Sequence, residues 1–199
     1  MSDQDQKPTS EPHIDVDQLI HHTELPETAL SRMLDGVVKW VGDVVSWLWV
    51  VLVGTIMLNV TLRYVLGQGY IAFEEIQWHF YAVGFLIGLS YCVQSDSHIR
   101  IDIIHEHFSP RFKAWVDFIG ILLFLIPYIA IVLIYAPPFI SYSIQVNEIS
   151  DAPGGLPYRW VIKSVMFIAY MLLLIAAVSR LSRAAAMLFG GADINRGRE

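Results

Sequence analysis

Charged side chains are missing from residues 44–62, 76–95, 118–147 and 164–179, the intervals between Asp43 and Arg63, Glu75 and Asp96, Asp117 and Glu148, and Lys163 and Arg180. Each interval runs roughly 16 to 30 residues, against the ~20 that an α-helix needs to cross the apolar core of a bilayer. A helix buried in a soluble protein is usually shorter and keeps one polar stripe. The pattern therefore predicts an all-α membrane protein with four transmembrane helices. The first runs over about 39–64, the second over about 73–94, the third from near Pro110, and the fourth over about 158–187.

The segments between the spans have their own punctuation. Leu30, Met33, Leu34, Val37, Val38 and Val41 fall at helical spacing and make one apolar face, with Arg32, Asp35 and Lys39 off it. This predicts a short interfacial helix on the cytoplasmic side before the first span; the other reading is that it simply extends that span. Pro127 should kink the third span, and Pro137 and Pro138 should end or redirect it. Between Asn147 and Pro157, Pro153 and Pro157 flank Gly154 and Gly155, which predicts a fixed turn. The division expected is a tail over 1–24, a membrane domain over 25–190 and a second tail over 191–199.

Composition agrees with this class: 55% of the residues are hydrophobic and mean hydropathy is +0.50. The net charge of -6 comes largely from the N-terminal tail, so no basic patch for nucleic acid is present. Polar residues precede the first apolar run, unlike a cleaved secretory signal, and the tail is expected to be retained. Lys and Arg placement orients the chain. Lys7, Arg32, Lys39, Arg100, Arg111, Lys113, Arg180, Arg183, Arg196 and Arg198 lie on one side, and only Arg63, Arg159 and Lys163 on the other. Both termini and the middle loop should therefore face the cytoplasm. Trp40 and Trp115 mark the inner interface, and Trp78 and Trp160 the outer one.

Candidate chemistry is sparse. There is no glycine-rich phosphate loop, paired-cysteine metal motif or serine elbow. The single cysteine, Cys92, reads as a small packing group. His105 and His107 cannot share a helix face, so the loop histidines do not read as a metal site. A haem-binding subunit needs axial ligands at one depth, whereas His79 and His98 stand about 28 Å apart along a helix. A self-contained transporter would carry polar groups at mid-membrane, and these spans are nearly free of them. The reading is a membrane subunit that does no catalysis, has no cofactor and packs against a partner. The alternative from another class is the membrane anchor of a respiratory or other enzyme complex.

Site candidates follow from position. Arg63 lies at the outer end of the first span, and Glu74 and Glu75 open the second at the same depth, where acidic side chains suit the helix dipole. An ion pair across that hairpin is expected. Gly84 and Gly88 form a GxxxG pattern that lets another helix approach. His98, Arg100 and Asp102 in the inner loop are candidates for anchoring to a partner subunit or to lipid phosphates. Glu148, Asp151 and Arg159 are candidates for contact with a partner on the outer face.

The run Asn59-Val60-Thr61-Leu62-Arg63-Tyr64, then Glu74-Glu75, Gly84 and Gly88, then His98-Ile99-Arg100-Ile101-Asp102, in that order, resembles the small (Q type) membrane subunit of tripartite ATP-independent periplasmic (TRAP) transporters. The resemblance covers about 37–189. The outer turn from Glu148 to Pro157, with Lys163, resembles a subgroup labelled for mannitol, chloroaromatic compounds or 2-oxo acids. Phe73, where the family often has tryptophan, and Gln94 and Asp96, where it often has basic residues, depart from the pattern. The resemblance implies a non-catalytic scaffold in the bacterial inner membrane. Its partners would be the large (M type) membrane subunit, a periplasmic solute-binding protein and membrane lipids. The complex would use a sodium gradient to take up an organic acid or similar solute.

Overall fold

The computed structural model describes residues 28–67, 69–95 and 110–189. Both expected tails and the loop with His98, Arg100 and Asp102 lie outside the described residues. Among the described residues every regular element is helical: α1 (Ala29–Val65), α2 (Ile71–Gln94), α3 (Pro110–Gly120), a π-helical turn (Ile121–Leu125), α4 (Ile126–Gln145) and α5 (Trp160–Phe189). The stretch Arg111–Gln145 runs on as one span, so among the described residues four helices are long and apolar enough to cross a membrane.

Two details differ from the sequence reading. Of the two readings of residues 30–41, the structure takes the extension and not the separate interfacial helix: they continue without a break into the first span. At 37 residues, α1 is about 55 Å long, well beyond the ~30 Å apolar core of a bilayer. A capping box starts it: Thr28 Oγ1 accepts from Ser31 N at 3.0 Å, and Thr28 N donates to Ser31 Oγ at 3.0 Å. The apolar face read from the sequence is only partly the buried one. Leu30 and Met33 are exposed, while Ser31, Asp35 and Val38 turn inward. The packing of that polar face against α5 is what keeps this stretch in line with the span.

The second difference concerns proline. Pro137 and Pro138 lie inside α4, which continues to Gln145. In hydrocarbon, a broken helix would expose backbone groups that no water can satisfy, so the helix absorbs the prolines instead. Pro127 is the second residue after the π turn. Proline cannot donate to the carbonyl four residues back, and its ring presses on that turn. One wider turn makes the room.

The chain order makes α1 and α2 an antiparallel hairpin. It packs on one side of α5, and α3, the π turn and α4 pack on the other. α5 is the central element because its side chains are small where neighbours approach: Ala169, Ala176, Ala177, Ser179 and Ala184 are all buried. Val38, Val93, Ile121 and Ile129 close around that stripe, beside Leu173 of α5 itself. The outer helices remain open. Only 6% of the apolar window of α1 is buried, and 11% of that of the third span, against 28% for α5. Trp47, Met57, Phe124 and Ile134 point outward.

Candidate functional site

The candidate site is the loop end of the bundle, where 66–70 joins α1 to α2 and 146–159 joins α4 to α5. The longer loop is built by local backbone chemistry. α4 stops in a Schellman motif: Asn147 takes a left-handed φ of 46°, Glu148 N donates to Ser143 O at 3.0 Å, and Asn147 N donates to Ile144 O at 3.2 Å. The chain then reverses at Ala152–Gly155. Pro153 occupies the second position and Gly154, with φ 76°, the third, and Gly155 N closes on Ala152 O at 2.9 Å. This is the residue pattern of a type II turn. Ser150 N donates to Leu156 O at 3.1 Å, and Arg159 N donates to Glu148 O at 3.2 Å, which ties the two limbs together.

Glu75 of α2 fastens this loop to the hairpin. Its carboxylate accepts from the Ser150 hydroxyl and, at 2.6 Å, from Leu156 N. Gly155 lies against the junction. A Cβ there would stand 2.6 Å from Ser150 Cβ and 2.9 Å from Glu75 Oε1, so no side chain fits. The adjacent Glu74 takes a different partner and forms an ion pair with Arg63 across the α1–α2 turn. Both members of that pair are about half exposed, and an exposed pair contributes roughly 0–1 kcal/mol. The two glutamates thus do separate things: Glu74 pairs within the hairpin, and Glu75 reaches a loop 75 or more positions away.

Beside them, Glu148 holds Lys163 of α5, whose ammonium also lies 3.9 Å from the Phe139 ring centre. Arg159 Nε approaches Glu148 at 3.9 Å, and its Nη1 approaches the fully exposed Asp151 at 3.9 Å. Tyr158 has φ 63° and an exposed ring. A bulky residue in that region is a genuine outlier, costing on the order of 1–3 kcal/mol. His79 Nδ1 lies 2.5 Å from Glu75 O, the geometry for donation to that carbonyl. Among the described residues no cluster of three His, Cys, Asp or Glu side chains could hold a metal.

The hydrogen bond and charge of Lys163 hold the Glu148 carboxyl below its ordinary value of 4.5. A depressed folded-state pKa stabilises the fold above the unfolded pKa, and that contribution is lost as pH falls through the folded value. Amide exchange over 147–157, corrected for the intrinsic rate, should therefore increase on acidification below about pH 4.5. In Glu148→Gln the loop should already exchange faster at neutral pH and respond less to acid. Identical acid profiles in the two chains would sink this assignment.

The opposite end, where Thr28 and Ser182 meet at 3.1 Å, holds ion pairs that the sequence reading did not single out. Asp35 of α1 pairs with Arg183 and accepts from Ser179 Oγ at 2.7 Å. Arg180 Nη2 donates to Asp117 Oδ2 of α3 at 2.7 Å, and its Nη1 reaches Val93 O of α2 at 3.4 Å. From α5, Arg180 and Arg183 therefore bind α1, α2 and α3. In the sequence these residues stand out only as charges flanking the spans. The available signal was the placement of Ser179, Arg180, Ser182 and Arg183 together at the end of an apolar helix.

The glycine pair of α2 is divided in role. A Cβ on Gly84 would meet the Trp49 ring at 3.1 Å, whereas Gly88 has nothing within 4 Å. Both line a cleft of about 240 Å³ between α1 and α2, with Gly42, Asp43, Ser46, Trp49 and Tyr91. The close helix approach expected at Gly84 and Gly88 is thus an aromatic ring on one glycine and open space at the other. Cys92 is a half-buried free thiol.

Over residues 52–187 the chain matches a family model described as "Tripartite ATP-independent periplasmic transporters, DctQ component". No curated protein and no solved structure gave a match.

Proposed function

The chain belongs to the DctQ component family of the tripartite ATP-independent periplasmic transporters, and from that premise we propose that it is the non-catalytic small membrane subunit that holds the large membrane subunit in place. The complex takes up an organic acid or similar solute, delivered by a periplasmic binding protein and driven by a sodium gradient. The chain lies in the bacterial inner membrane with both termini cytoplasmic, as the Lys and Arg bias predicts. The loop end then faces the periplasm. Arg63, Glu74 and Glu75 brace that end, and Glu148, Asp151 and Arg159 belong to the surface that meets the binding protein. His98, Arg100 and Asp102 anchor the opposite side to the large subunit or to lipid headgroups. Gly88 leaves a neighbour room beside the α1–α2 hairpin, whereas the space at Gly84 is taken by Trp49.

The observation that carries this reading is the family match across four spans whose own bundle buries so little of α1 and of the third span. Helices with this much outward apolar surface suit a subunit set between a partner and lipid. The test is reconstitution of the transporter in vesicles with and without this chain. Sodium-dependent uptake of the solute should fall at least tenfold when the chain is omitted and return when it is supplied. The purified complex should contain a polytopic partner and no pigment. Undiminished uptake without the chain, or a haem or flavin in the complex, would overturn the proposal.

A further inference from the structure

The backbone at Tyr158 is strained although its side chain is exposed. Its φ is 63°, a left-handed conformation that bulky residues avoid. Its side chain is 64% exposed. The conformation is nonetheless held firmly. Arg159 N is tied to Glu148 O, Val161 N to Tyr158 O at 3.0 Å, and the loop itself to Glu75 of α2. The Arg159 contacts bring Tyr158 beside the limb that carries the exposed Ile149 and Asp151.

Strain that persists because its surroundings over-determine it is concentrated at functional positions. A tyrosine that only marks the membrane interface needs no such backbone, because an ordinary helical or extended residue places a ring among headgroups equally well. The neighbouring charges balance, Glu148 and Asp151 against Lys163 and Arg159, so the loop carries no basic excess to hold it to lipid phosphates. A loop tied down in this way, which presents one aromatic ring, one aliphatic side chain and one fully exposed carboxylate beside Arg159, instead suits a protein surface. Tyrosines are enriched among the residues that dominate binding energy, and preorganisation lowers the cost of binding.

We propose that Tyr158 is the aromatic anchor by which this loop engages the soluble binding component of the transporter. Its ring enters an apolar pocket on that protein, and Asp151 answers a basic group at the pocket's rim. The inference rests on the reading above that the loop end faces the periplasm and meets that component.

The test uses the complex of both membrane subunits in nanodiscs, titrated with the soluble binding protein of the same transporter. Tyr158→Gly removes the ring and relieves the strain together, so the subunit should melt no lower than the wild type while Kd rises at least tenfold. Tyr158→Phe keeps the ring and should stay within about threefold. If the wild type binds and Tyr158→Gly binds within twofold of it, the anchor is overturned and the loop's orientation stands. If Tyr158→Gly loosens the subunit in the membrane without changing Kd, the ring is an interface marker and the anchor is again overturned. If the wild-type complex does not bind the soluble protein at all, the functional reading fails and takes the anchor with it.

Discussion

Arg183→Leu should be the most damaging single substitution in this chain. It removes the cation that pairs with Asp35 and leaves that carboxylate facing α5 with Ser179 as its remaining partner. Asp35 is only 8% exposed, and its side chain cannot turn to water without pulling α1 from α5. Removing one partner of a buried pair costs about 3–5 kcal/mol, mostly because the other charge is left uncompensated. That is comparable with the whole stability of many domains. The expected result is a collapse in the yield of folded subunit from detergent, read by size-exclusion profile and thermal unfolding. Asp35→Leu should do the same by stranding Arg183, whose Nε already has no partner. The double variant Asp35→Leu/Arg183→Leu should recover much of the loss, since it strands neither charge. If it is as unstable as the sum of the two single variants, the pair is not what holds α1 to α5.

Gly155→Ala should have the second-largest effect, and at the other end of the molecule. The added methyl would occupy the space of Ser150 and the Glu75 carboxylate, and neither can withdraw without breaking the bonds that fasten the loop. Overpacking of this kind costs roughly 1–3 kcal/mol. Exchange of the 147–157 amides should rise on the order of tenfold or more, tenfold corresponding to ~1.4 kcal/mol. Glu75→Ala leaves Leu156 N without its acceptor, a loss of about 1–3 kcal/mol, and should produce a similar rise. Both substitutions undo one junction, so the double variant should be little worse than either single one. Additive effects would show that Gly155 and Glu75 act on different parts of the loop.

How much of this was legible in the sequence depended on distance along the chain. The four spans could be read because a bilayer demands long uncharged runs, and nothing about tertiary structure is needed to see them. The turn at Pro153–Gly155 could be read because proline and glycine fix backbone locally. The pairing of Arg63 with a glutamate needed only a short hairpin. The choice of Glu74 over Glu75 could not be read, because Glu75 is drawn away by Ser150 and Leu156 from a distant loop. The ion pairs of Asp35 with Arg183 and of Asp117 with Arg180 lie 148 and 63 positions apart and depend on how α5 sits between its neighbours. Residues 30–41 show the same limit. Their apolar spacing pointed to one face, but the partner they met was a polar stripe on α5, and Asp35 went inward.

The π turn at Ile121–Leu125 changes how the third span must be compared with any relative. Two turns of ideal α-helix from the buried Ile121 lead to residue 128, at ~3.6 residues per turn. Yet Tyr128 is 54% exposed, and Ile129 is the residue that lies fully buried. The wider turn has advanced the facing of everything after it by one position, about 100° around the axis. The span is therefore two half-spans with separate phases, joined by a single spare residue. A homologue one residue shorter between Gly120 and Ile126 would place the same core with an unbroken α-helix, and its equivalent of Ile129 would align, without a gap, on Tyr128. The Tyr128–Tyr170 hydroxyl contact at 2.8 Å exists only in the longer phase. A gap of one in that stretch is a change of helix type, not of helix length.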